Sequence, residues 1–172
     1  MRLFDHALRS LARVVTPEEA HAHCDVPCGI YDPHQAQVAA LTVLRMNQLI
    51  RDLPKPDAHA PADEVETHDA KLGRFIASKE EHSEICKREL RILWGDYFNP
   101  THLEAHPGIH DLFWNAMKQA SRARQEVDMA AAEQLLATTQ QIAEVFWETK
   151  GAQTQRVPTR HAVGGELVHP IP

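Results

Sequence analysis

Six consecutive residues, His23-Cys24-Asp25-Val26-Pro27-Cys28, carry one imidazole and two thiols. Pro27 and the following Gly29 bend the backbone, so Cys24 and Cys28 can turn their sulfurs toward one point. Ala20-His21-Ala22 places small residues where a leader-type peptidase would read them. A cut after Ala22 would make His23 the first residue, and its α-amine would join the donor set. With a deprotonated Cys24 amide, that gives two nitrogens and two thiolate sulfurs in a plane, with the His23 imidazole available as an axial ligand. Planar nitrogen–sulfur ligation suits Ni(II) or Cu(II), whereas zinc prefers a closed tetrahedral site. On these residues alone, a disulfide or a pair of buried thiols remains the competing reading. The spacing is not that of a CxxC dithiol, and no βαβ pattern surrounds it. Tyr31 is the nearest side chain that could supply protons around such a metal.

The elements that must position this hook read as helices. Asp32-Pro33 is a helix start, and Ala36, Ala40, Val43, Leu44 and Ile50 form one apolar face that ends at Pro54 and Pro56. A second, longer helix is expected from about Asp63 to Tyr97, with Leu72, Phe75, Ile76, Cys86, Leu90 and Leu93 on its stripe. Lys79, His82 and Ser83 interrupt that stripe, and His82 could contact the hook from there. Asn99-Pro100 stops the helix and Thr101 to His106 reads as a loop. A third helix resumes at Ile109, and a fourth is capped by Asp128 and stopped by Gly151. The prediction is an all-α, antiparallel four-helix bundle over residues 32–151, preceded by a hook at 23–31 and a removable leader at 1–22. Residues 152–172 show no period and read as a flexible tail.

The 172 residues, 43% of them hydrophobic, suffice for one core. The net charge of −6 argues against nucleic acid and anionic membranes as partners. No stretch approaches the roughly 18 apolar residues of a membrane span. Three cysteines do not form a secreted disulfide framework, which points to a reducing, cytoplasmic setting. His102, His106 and His110 have metal-like spacing, but Pro107-Gly108 breaks any common helical face. Cys86 reads as a small core residue, and Trp94, Trp114 and Trp147 as core or subunit contacts.

The hook with its flanks, HCDVPCGIYDP over 23–33, is very similar to the N-terminal signature of mature nickel superoxide dismutases. Leu93-Trp94-Gly95-Asp96-Tyr97-Phe98-Asn99-Pro100 and Phe146-Trp147-Glu148-Thr149-Lys150-Gly151 also resemble segments of that family. The resemblance implies an enzyme that disproportionates superoxide to oxygen and hydrogen peroxide through a Ni(III)/Ni(II) cycle, with one nickel per subunit. It assigns His23, Cys24 and Cys28 as ligands, Tyr31 and Tyr97 to the approach, and Asp25 and Pro27 to the shape of the hook. It also implies a right-handed bundle, assembly as a homohexamer and a processing peptidase. A nickel or copper carrier without turnover is the alternative. Two departures stand out. Where some members orient the axial histidine with a glutamate and an arginine, this chain has Ala39 and His82. The lysine that follows Asp-Tyr-Phe in some members is Asn99 here, so basic groups elsewhere must steer the anion.

Overall fold

The computed structural model describes residues 29–172. The expected leader, 1–22, and the expected ligands His23, Cys24 and Cys28 lie outside the described residues.

Helix α1 runs His34–Asp52. The Asp32 carboxylate accepts the His34 N–H at 2.7 Å, meeting one of the orphan donors of the first turn. The helix stops at Leu53, whose extended backbone suits the residue before a proline. Helix α2 spans Ala62–Ile92 and continues through a π-helical turn, Leu93–Tyr97. The Phe98 N–H donates to the Leu93 carbonyl at 3.0 Å, which closes the wider turn just before Asn99-Pro100 ends the helix. Helix α4 (Ile109–Gln125) and helix α5 (Met129–Thr149) complete the bundle, with the Asp128 side chain accepting the Ala131 N–H as an N-cap. Packing is cyclic: α1 lies against α2 and α5, and α4 against the same two. The shared core includes Val43, Leu90, Phe113, Leu135, Ile142 and Phe146, all fully buried. No helix among the described residues is long and apolar enough to cross a membrane.

Two expectations need correction. The stretch 101–106 is not a loop. Pro100–Ala105 forms a short helix, α3, with the Asn99 side chain accepting the His102 N–H at 3.2 Å and Pro100 at the position where its missing donor costs nothing. Nor is 152–172 a flexible tail. Thr154–Pro158 (β1) and Glu166–Pro170 (β2) form an antiparallel hairpin in the register Arg156↔Val168.

The hairpin is held by side chains of the bundle as well as by its own ladder. The Gln37 amide, fully buried, pairs with Val168 in both directions: its Nε2 donates to the carbonyl at 3.1 Å, and the Val168 N–H donates to Oε1 at 2.7 Å. Gln140 donates to the Glu166 carbonyl at 2.8 Å, and Arg156 pairs with Glu144 at 2.7 Å. Leu167 and Val168 of β2 are buried. A side chain at Gly165 would put its Cβ 2.9 Å from Leu41, so the turn approaches α1 where only glycine fits, at a φ of 80°.

Replacing Gln37 with leucine strands the N–H and carbonyl of Val168. We expect a loss of about 2–4 kcal/mol in unfolding free energy by urea denaturation, bounded above by the cost of releasing the hairpin. An unchanged transition would mean the hairpin docks without that amide.

Candidate metal centre

The described chain begins at the turn that leads out of the hook. Gly29 has a φ of 80°, and Tyr31 follows with its ring against Tyr97, the centroids 5.6 Å apart. The Tyr31 hydroxyl oxygen is buried and has no hydrogen-bond partner among the described residues. Below it lies a cleft of about 610 Å3, lined from the hook side by Ile30, Tyr31, Asp32 and His34 and from α2 by Arg88, Glu89, Ile92 and Leu93. The turn from 29 to 33 thus rests on the last turns of α2.

Tyr97 is fixed more completely. The π turn carries it to the end of α2, where its ring packs on Phe146 at 4.5 Å, on the edge of Phe98 at 5.1 Å and flat on His102 at 5.3 Å. Its hydroxyl is 2.7 Å from Thr149 Oγ1, and the Lys150 ammonium sits 5.3 Å above its ring centroid. The end of α5 therefore supplies both a polar partner and a positive charge to this tyrosine. Phe146 to Gly151 stands out in the sequence as a segment, but nothing in the sequence assigns a role to Thr149 or Lys150. Helical spacing gives no hint that the end of the fourth helix meets the end of the second.

His82 has other work. It is half-buried, its Nδ1 lies 2.9 Å from the Ser78 carbonyl one turn back, and it does not line the cleft beneath Tyr31. The polar gap in α2 is explained by a helix end: Lys79, buried, donates to the Glu126 carbonyl at 2.6 Å just past α4. Burial holds the Lys79 amine below its ordinary pKa. Ser83 donates to the Lys79 carbonyl at 2.8 Å. Ala39 lies in the core.

The remaining candidates are structural. Asn99 is committed as the cap of α3. His110 accepts the Trp94 indole N–H at 2.8 Å. Cys86 is fully buried beside Thr139, and burial pushes its thiol up to about 12. Trp114 is more than half exposed, on the bundle surface. Among the described residues no group of three His, Cys, Asp or Glu side chains could hold a metal ion. The thiol and imidazole side chains expected as ligands, at residues 23–28, lie outside the described residues.

Comparison with known proteins decides the family. Residues 18–150 match the model of nickel-containing superoxide dismutase. The chain belongs to that family. It is 36% identical to the nickel superoxide dismutase of Streptomyces seoulensis over 143 residues, covering 83% of this chain and 99% of that one. The Streptomyces coelicolor enzyme is 34% identical with the same coverage. Among solved structures, native nickel superoxide dismutase superimposes with a TM-score of 0.64 at 34% identity, covering 76% of this chain and all of that one. An apo structure of the enzyme gives 0.62 at 31% identity, covering 72% of this chain and all of that one. The match to the nickel superoxide dismutase family model stops at residue 150, so the C-terminal hairpin lies beyond it.

Proposed function

We propose that this chain is a superoxide dismutase that turns two superoxide anions and two protons into oxygen and hydrogen peroxide at a nickel ion held by residues 23–28. The observation that carries the reading is the Tyr31 hydroxyl, buried and without a hydrogen-bond partner among the described residues, three residues beyond Cys28. Buried hydroxyls are seldom left so, and this one fits a site whose other half is the hook. The donor set also fits the metal: the His23 α-amine and imidazole, the Cys24 amide and thiolate, and the Cys28 thiolate. The chemistry nickel supplies there is a one-electron couple between its trivalent and divalent states.

The chain's own residues do the rest. Tyr31 and Tyr97 wall the approach and keep hydroxyl groups near the incoming anion. Lys150, above the Tyr97 ring, provides a cation that Asn99 cannot, and it attracts superoxide toward the two tyrosines. Removal of residues 1–22 is required because the amine of His23 exists only after the cut. Assembly as a homohexamer and a cytoplasmic, thiol-sparing setting belong to the same reading. The exposed Trp114 ring supports a subunit contact, and the thiolate ligands support the setting.

Superoxide consumption by the full chain and by a chain beginning at His23, each with and without one equivalent of nickel, tests this. Activity is expected only in the nickel-loaded His23 form, and Cys24→Ser or Cys28→Ser should abolish it. Turnover in the uncut chain or in either serine variant would refute the ligand assignment, and nickel binding without turnover would make the protein a carrier. For steering, Lys150→Gln should lower kcat/KM roughly threefold to tenfold at low ionic strength and flatten its salt dependence, while Lys150→Arg keeps both. An unchanged salt dependence in the glutamine variant would remove Lys150 from that role.

A further inference from the structure

The two tyrosines differ in where their protons can go. Thr149 Oγ1 lies 2.7 Å from the Tyr97 hydroxyl and 2.7 Å from the Phe146 carbonyl. A threonine hydroxyl has one proton, so it can donate to only one of them. The end of α5 decides which. The last turn tightens there: the Lys150 N–H, whose α-helical acceptor would be Phe146, donates to the Trp147 carbonyl at 3.1 Å, and the Ala152 N–H donates to the same oxygen at 3.0 Å. The Phe146 carbonyl is thereby left for the Thr149 hydroxyl. Two oxygens 2.7 Å apart with no proton between them would repel. Thr149 therefore gives its proton to Phe146, and its oxygen accepts from Tyr97.

Resting on the dismutase reading above, we propose that Thr149 is a positioning residue that commits the Tyr97 proton to the end of α5. Tyr97 then offers only oxygen lone pairs to the approach. Tyr31, its ring 5.6 Å away and its hydroxyl unpartnered among the described residues, is the tyrosine with a proton to donate in a hydrogen bond to the bound anion. The stacked His102 and the overlying Lys150 hold the Tyr97 ring so that the bond to Thr149 persists. The pair thus works as one donor and one acceptor, set by a threonine outside the hook.

The chain has two tyrosines, so labelling with 13Cζ-tyrosine gives two NMR signals, and Tyr31→Phe assigns them. In an equal mixture of H2O and D2O, a hydroxyl held in slow exchange splits its 13Cζ signal into two lines. In the full chain we expect the Tyr97 signal to split, Thr149→Val to merge it into one averaged line and Thr149→Ser to keep it split. A single Tyr97 line in the native chain, or splitting that survives in Thr149→Val, would overturn the assignment. In the nickel-loaded chain beginning at His23, kcat/KM should fall roughly fivefold in Thr149→Val and recover in Thr149→Ser. A valine variant that merges the line yet retains native kcat/KM would overturn the positioning role. The NMR arm needs neither nickel nor turnover, so failure of the dismutase reading would show separately, as inactivity of the native loaded chain with the splitting intact.

Discussion

The contact between Tyr31 and Tyr97 joins three distant parts of the chain. Tyr31 comes just before α1, Tyr97 closes the π turn after α2, and the groups that fix Tyr97 come from the last residues of α5. A bundle whose helix ends were displaced by a single turn, about 5.4 Å, would separate these groups. The core of Val43, Leu90, Phe113, Leu135, Ile142 and Phe146 therefore does more than stabilise the fold. It sets the register that brings three chain segments to one end of the molecule. Phe146 serves in both capacities, buried in the core and packed at a tilt against Tyr97.

That arrangement suits a site whose ligands come from a chain terminus. A donor set that includes a terminal amine cannot be built inside a helix, where backbone nitrogens are already committed to hydrogen bonds. The proposed ligands therefore precede the first helix in sequence, and the rigid elements contribute the surroundings. Helix α1 begins only at His34, once the hook and its glycine turn are complete, and Asp32 marks the boundary by taking the first free N–H. The added hairpin ties down this same helix, because its strand pairs with Gln37 on the first turn of α1 and His34 packs 5.8 Å from His169. An extension beyond the matched family span thus braces the helix from which the hook departs.

Much of this was legible in the sequence. The periodicity of the four helices, the Asp128 cap and the Gly151 stop all appear in the structure, because amphipathic spacing and capping are local. The expected ligand types and their spacing at 23–28 are an equally local pattern, but those residues lie outside the described ones. The hairpin was not legible. Its first strand, Thr-Gln-Arg-Val-Pro, is almost entirely exposed and lacks apolar alternation, and the amides that hold the second strand lie far away on α1 and α5. The polar gap in α2 suggested a metal neighbour, but Lys79 answers to the end of α4, a partner that spacing cannot reveal. Thr149 and Lys150 escaped for the same reason, since their importance depends on which helix end they meet.

The measurement that tests the account most directly is the position of the metal. Crystals of the chain beginning at His23, loaded with one equivalent of nickel, can be examined by anomalous diffraction at the nickel absorption edge. A single strong peak bonded to His23, Cys24 and Cys28, next to the Tyr31 and Tyr97 hydroxyls, is expected. A peak instead among His102, His106 and His110, or at the surface with both cysteines unligated, would contradict it.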